Sequence, residues 1–449
     1  MTSAAERLAA NLDFGLISKA TELKKRIWFV IGALLVYRIG TYVPLPSIDT
    51  HVLAEFFKHR SSGVLGMVDM FAGGALGRMS VFALSIMPYI SASIIMQLLT
   101  AVSKELEALK KEGESGRRKI NQYTRYATVA LALVQGIGLA VGLEQMGHGG
   151  MMAVHEPGLF FRLSTAITLT GGTLFLMWLG EQMTARGIGN GTSLIIFTGI
   201  VAGLPSALAS TFELGRKGAM STEFILLLLL LALSLLVLIV FIERAQRRIV
   251  VQYPKRQVGN KMFGGDRSHL PLKLNVAGVI PPIFASSLLL FPLTITQFSG
   301  GGTPSTGWIA WVAAYLSHGQ PLYIALFMVM IVFFAFFYTS VIFNPDDTAE
   351  MLKKNGGFIP GIRPGKQTAE YLDGILSKLT VLGAAYLCIV CSVPEVLMAK
   401  YSVPFYLGGT SLLIVVNVTM DTVTQIQSHL FAHQYEGLIK KARLTKGKK

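Results

Sequence analysis

Charge is scarce in this chain: 14% of its 449 residues are Asp, Glu, Lys or Arg, while 52% are hydrophobic and the mean hydropathy is +0.54. That balance excludes an ordinary soluble domain and fits a polytopic membrane protein. Cysteine is nearly missing. Cys388 and Cys391 share one apolar run, and without a second pair they read as inert packing rather than a redox or metal centre. No GxxxxGK[ST] run occurs, which argues against a nucleotide-binding P-loop, and neither a metal-ligand cluster nor a nucleophile triad is present. No catalytic residue, metal or cofactor is therefore expected. The N-terminus lacks a short apolar core with a small-residue cleavage site, so the first span is expected to stay, in a bacterial inner (plasma) membrane.

What the chain has is apolar runs. Ten spans are expected, at about 26–43, 80–100, 121–143, 161–181, 191–211, 223–242, 273–296, 320–343, 374–394 and 404–425. Acidic residues number 25 against 40 Lys and Arg, a net charge of +15. Most of the excess falls in alternate loops. Arg7, Lys19, Lys24, Lys25 and Arg26, then 104–119, 244–273, 353–366 and 440–449 are basic, whereas 144–161 and 297–320 hold no Lys or Arg and only Lys400 lies between the last two spans. By the positive-inside rule both termini are cytoplasmic.

Residues 67–80 read MVDMFAGGALGRMS, amphiphilic, glycine-broken and too short to cross, and they feed the uncharged second span directly. Such a segment suggests a re-entrant piece, tolerated only where protein or a water-filled cavity surrounds it. An internal repeat points to the same place. Ile86-Met87-Pro88-Tyr89-Ile90-Ser91-Ala92-Ser93 in span two is matched by Val279-Ile280-Pro281-Pro282-Ile283-Phe284-Ala285-Ser286 in span seven, and Gly191-Thr192-Ser193 opening span five by Gly409-Thr410-Ser411 opening span ten. Two matches at one offset imply two inverted halves, with Ile90 beside Ile283 and Ile196 beside Ile414 in a central constriction. Spans two, five and seven carry no Asp, Glu or His at their middles, unlike an ion-coupled transporter. Snorkelling or interfacial pairing accounts for Arg38, Glu181 and Asp421.

Two basic loops look built for contact. In 344–373, Asn344-Pro345 with Asp346, Asp347 and Glu350 starts a helix, Lys353-Lys354-Asn355-Gly356 ends it, and a tight tip follows whose one charge is Arg363. Thr368 is expected to start a second helix. In 243–273, alternation around Ile249, Val250 and Val251 predicts a hairpin strand carrying Arg247, Arg248, Lys255 and Arg256, suited to ribosomal RNA phosphates, an acidic protein face or anionic lipids.

The segments FALSIMPYISASIIMQLL (82–99), KKEGESGRRKINQYTRY (110–126), WLGEQMTARGIGNGTSLIIFTGIVAGLP (178–205), ERAQRRIVVQYPKRQ (243–257), FIPGIRPGKQTAEYLD (358–373) and VPFYLGGTSLLIVV (403–416) closely resemble the bacterial SecY family, the channel subunit of the Sec protein translocon, from about Leu12 into the tail. The resemblance implies an all-α, ten-helix clamshell around an hourglass pore, with a cytoplasmic segment 1–25, halves 26–215 and 216–425, and a basic tail 426–449. It implies a pore ring of Ile86, Ile90, Thr192, Ile196, Ile283 and Ile414, where Thr192 departs from the usual isoleucine. It implies a plug at about 67–77 with Met70, Phe71, Gly73 and Gly74. A lateral gate between spans two and three and spans seven and eight would hold Ser91, Gln135 and Asn275. Arg363 matches the tip that engages the SecA motor ATPase and the ribosome. The partners implied are SecE, SecG, SecA, the ribosome, signal peptides and nascent polypeptides, with anionic lipids around them. The function implied is passage of unfolded secretory polypeptides and lateral release of apolar segments, with energy from a partner. A secondary transporter for a small solute, built on inverted repeats, is the alternative, and a non-transporting scaffold a third reading.

Overall fold

The computed structural model describes residues 21–49, 69, 71–144, 147–148, 151–152, 154–218, 221–253, 256–258, 261–263, 267–299, 320–401 and 408–446. In chain order its helices are α1 (Thr21–Gly40), α2 (Met87–Val102), α3 (Lys104–Lys111), α4 (Glu114–Glu144), α5 (Leu159–Arg186), α6 (Gly191–Arg216), α7 (Thr222–Arg244), α8 (Ile280–Ser299), α9 (Pro321–Ile342), α10 (Pro345–Lys354), α11 (Lys366–Tyr401) and α12 (Gly409–Lys446). The strands, all in two-stranded antiparallel pairs, are β1 (Gly147–His148) with β2 (Met151–Met152), β3 (Gln246–Gln252) with β6 (Arg267–Lys273), and β4 (Arg256–Val258) with β5 (Lys261–Phe263). Ten of the helices fall on the ten expected spans, with α3 and α10 in the loops.

Among the described residues, α4, α5, α6, α7, α9 and α11 are long and apolar enough to cross a bilayer, while α2 and α8 supply shorter apolar helices. α2 is only 16 residues, about 24 Å of rise, so it cannot cross the hydrocarbon alone. It starts at Met87, seven residues later than expected. Proline in the first turn suits a helix start, because its missing N–H has no acceptor to reach there. Before it, residues 72–86 run as turns, with left-handed backbone at Gly73, Gly74, Met79 and Ser85. α8 likewise starts at Ile280 rather than about 273, after a left-handed Gly278 (φ +63°). α12 runs to Lys446, where a tail was expected from 426.

Local chemistry sets the boundaries in the loops. Asn344 caps α10, its side chain accepting from the Asp346 N–H at 3.1 Å, with Asp346 and Asp347 in the first turn and Lys353 and Lys354 in the last, as the sequence predicts. α11 starts at Lys366, two residues before the expected Thr368, whose hydroxyl instead donates to the Arg363 carbonyl at 2.9 Å.

Two of the apolar cores among the described residues flank the centre of the bundle. One joins α1, α2, α5 and α6 through Tyr37, Ile86, Leu176, Leu179, Met183, Ile195 and Ile200, and takes Ile414 and Val418 from α12. The other joins α7, α8, α9, α11 and α12 through Ile239, Phe284, Leu289, Phe327, Ile331, Phe334, Leu387, Val390 and Leu413, and takes Ile94 from α2. Two ion pairs bind α4 to α5. Arg125 grips the Glu181 carboxylate with contacts of 2.8 to 3.1 Å, which places Glu181 in the interfacial pair expected of it, and Arg162 reaches Glu144 at 2.6 Å. Removing the Asn344 cap costs about 1 kcal/mol, so Asn344→Ala is expected to speed amide exchange in 345–348 about fivefold, with 370–380 unchanged, as read by hydrogen–deuterium exchange.

Candidate pore, plug and docking surface

Where the two cores meet, a cavity is lined by Ile86, Met87 and Ile90 of α2 and its lead-in, Ile196 of α6, Ile283, Ser286 and Ser287 of α8, Ile414 of α12, and Ser85 and Phe71. Ile86, Ile90, Ile196, Ile283 and Ile414 thus converge on one cavity from α2 with its lead-in, α6, α8 and α12. Ile86 and Ile414 are 1% and 2% exposed, and Ile90, Ile196 and Ile283 are half-buried with side chains toward the opening. Branched aliphatics at a constriction exclude water without coordinating any ion. The serines leave little free polarity: Ser286 Oγ donates to the Ile283 carbonyl at 3.0 Å, and the Ser287 hydroxyl is the buried group without a partner there.

Thr192 does not line this cavity, contrary to expectation. It lies one turn before Ile196 at the start of α6, where its hydroxyl donates to Asn190 Oδ1 at 2.6 Å. Asn190 is the helix cap and also accepts from the Thr192 N–H at 3.1 Å, so the cap captures the hydroxyl that would otherwise wet the ring.

The segment that begins at Phe71 borders this cavity. Phe71, 6% exposed, packs into the core beside Ile86, and Met70 lies outside the described residues. From Ala72 the backbone is turn rather than half-helix, and Gly73 (φ +66°) and Gly74 (φ +80°) make the bend that only glycine adopts freely. Residues the sequence reading did not single out for this hold it. Arg38 Nη1 and Arg78 Nη2 both donate to the Gly73 carbonyl, at 2.8 and 3.0 Å, and Tyr37 Oη donates to the Ala72 carbonyl at 3.3 Å. Both guanidinium groups also lie over the Tyr42 ring, at 5.1 and 4.1 Å from its centroid. Arg38 had read as a snorkelling cation; its partner is a backbone carbonyl brought near only by folding. α6 approaches the bend so closely that a Cβ on Gly199 would sit 2.8 Å from the Phe71 carbonyl oxygen.

At the expected gate, α8 packs directly on α2 and α4. Ser91 and Gln135 are half-buried on those helices. Asn275 lies ahead of α8 rather than on it. Because α8 starts only at Ile280, Asn275 falls in its lead-in, 3% exposed, where Nδ2 donates to Glu243 Oε1 at 2.7 Å.

The two basic loops form one body. β3 and β6 pair from Gln246↔Lys273 to Gln252↔Arg267, burying Ile249, Val251 and Leu272 on one face and exposing Arg248, His269 and Arg267 on the other. Arg247 is exposed; Lys255 lies outside the described residues, and Arg256 opens β4. The hairpin is welded to 344–373 by paired 2.9 Å bonds between Gln252 and Phe358, and by a core of Ile249, Leu272, Ile359, Leu372, Ile375 and Leu376. Arg363 stands exposed at the tip between Gly361 and Gly365.

A multi-span, all-α membrane channel, closed by a re-entrant turn over an apolar constriction, is the class these features define. The SecY family model matches residues 80–423, and the chain belongs to that family. It is 55% identical over 425 residues to the protein translocase subunit SecY of Rickettsia typhi, covering 95% of this chain and 98% of that one. Its fold matches a solved protein-conducting channel with TM-score 0.64 at 18% identity, over 90% of this chain and 92% of the other. It also matches Sec61 in the canine ribosome–channel complex, with TM-score 0.62 at 17% identity over 90% and 92%. Gly199→Ala forces Phe71 and the bend outward, and is expected to raise the resting ion conductance of bilayers holding the channel several-fold, without lowering its amount.

Proposed function

We infer that this chain is a protein-conducting channel, carried by one observation: Ile86, Ile90, Ile196, Ile283 and Ile414 meet in one apolar constriction with Phe71 above it. An unfolded polypeptide presents every kind of side chain in turn. A ring of flexible aliphatics suits that cargo because it closes on shape alone and offers no fixed ligand. A small-solute transporter instead needs a few convergent polar groups, and the cavity wall here is isoleucine, methionine, phenylalanine and serine. Family membership supports the same reading, and the chain is not an enzyme: energy comes from a partner.

In this reading the Phe71–Gly74 bend is the plug, and α2 with α4 parts from α8 to release signal peptides and apolar segments into lipid, which rewards their apolar surface. The chain sits in the bacterial inner membrane with both termini cytoplasmic, supported by the uneven loop charges. The platform of Arg247, Arg248, Arg256 and Arg363 is then cytoplasmic and receives SecA or the ribosome; the Sec61 fold relative was itself seen on a ribosome. SecE and SecG are expected beside it as small membrane subunits.

A photo-crosslinker placed at Ile90 or Ile283 is expected to capture a secretory chain arrested in transit, and one at Leu230, exposed on the outside of α7, is not. Absence of adducts at both ring positions would sink the channel reading. Arg363→Glu is expected to abolish SecA-driven export into membrane vesicles while leaving the protein inserted, and full export by that variant would remove the docking role.

A further inference from the structure

The β3–β6 hairpin leaves the membrane from α7 and returns into α8, so its two legs stand at the same boundary. One amide joins them. Asn275 Nδ2 donates to Glu243 Oε1 at 2.7 Å, and the two residues are 3% and 6% exposed. Beside this bond, the Leu274 N–H donates to the Ala245 carbonyl at 3.0 Å. The same Asn275 side chain brackets Gly278: Nδ2 donates to its carbonyl at 3.0 Å, and Oδ1 accepts its N–H at 3.1 Å. Gly278 is left-handed, and α8 starts two residues later.

A staple for the hairpin alone would need only the Glu243 contact. Here the remaining bonds of the amide all go to the bend from which α8 departs. α8 carries Ile283 into the constriction and packs on α2 and α4. Loss of the carboxylate would leave a buried donor unsatisfied, so the joint between hairpin and bend is stiff.

We propose that Glu243 and Asn275 are positioning residues that couple the docking platform to the gate. Displacement of the hairpin by a docked partner passes through Asn275 to Gly278 and swings the first turns of α8 away from α2 and α4. The coupling rests on the docking and gate readings above. Glu243→Leu removes the acceptor and uncouples the two, whereas Glu243→Gln keeps an acceptor oxygen and preserves the joint.

The test uses the full-length channel in liposomes with its small partner subunits. Cys388 and Cys391 are replaced by Ala, and spin labels are placed at Ile95→Cys on α2 and Leu288→Cys on α8, both exposed. SecA is the docking probe, and both its affinity and the label-to-label distance are read. The parent and Glu243→Gln are expected to widen on docking. Glu243→Leu and Asn275→Leu are expected to lose the widening by about fivefold or more, with SecA affinity held within about twofold. Full widening in Glu243→Leu would overturn the coupling. A parallel loss of affinity would also overturn it, by showing that the pair only folds the platform. A parent that binds no SecA would instead overturn the docking reading on which the coupling stands.

Discussion

Backbone polar groups inside hydrocarbon must find partners in the protein, and this constraint governs the middle of the molecule. Residues 72–86 are not helical, so the ladder that satisfies a spanning helix is not available to them. Other bonds replace it. Val81 N–H reaches the Val43 carbonyl, Met79 C=O takes the Leu45 N–H, Ser80 N–H returns to Ala75, and the carbonyls of Ala72 and Gly73 take side-chain donors from α1 and from Arg78. The irregular segment survives because α1, its extension and α6 wrap it. Its stability therefore belongs to its surroundings, and a segment held by carbonyl contacts and turns can be released piecemeal where a helix could not.

The seal rests on a different balance. Fully burying an isoleucine is worth about 1.5 to 3 kcal/mol and half-burying one correspondingly less, so two buried and three half-buried isoleucines close the constriction without any charge that a cargo would have to displace. A passing chain offers its own side chains and backbone to the same aliphatics and recovers part of what opening loses. A ring held shut by ion pairs would instead strand a buried charge each time it opened.

Much of this was legible in the sequence because it is local or repeated. The four isoleucines at 90, 196, 283 and 414 stood in matched segments, and the hairpin and the α10 cap followed from alternation and from Asn344-Pro345-Asp346. Two residues have partners that position alone did not announce. Thr192 had the right position for the ring, but the neighbouring Asn190 cap competed for its hydroxyl. Asn275 had a plausible register, yet the left-handed Gly278 delayed the helix and turned the amide toward Glu243. Arg38 stood out only as a charge at the end of span one, and Tyr42 and Gly199 gave no signal, since their partners on the bend are tertiary contacts. The weld between Gln252 and Phe358 likewise joins two loops that read as separate.

The placement of the ring has a mechanical consequence. Met87 and Ile90 pack against both cores, Ile283 belongs to a helix of one core and packs into the other, and Ile414 does the same from α12. The seal is thus not inside either half; it is the seam between them. In the proposed gating, parting α8 from α2 and α4 spreads the isoleucines that line the cavity, and Phe71, which lines it too, loses those neighbours. Passage along the pore and release into lipid then need no separate machinery, because one displacement at one seam opens both routes. The Phe71–Gly74 bend is tied to α1 and lies close against α6, within the core that α8 leaves in the proposed gating, so on that reading it stays over the ring until the ring itself widens.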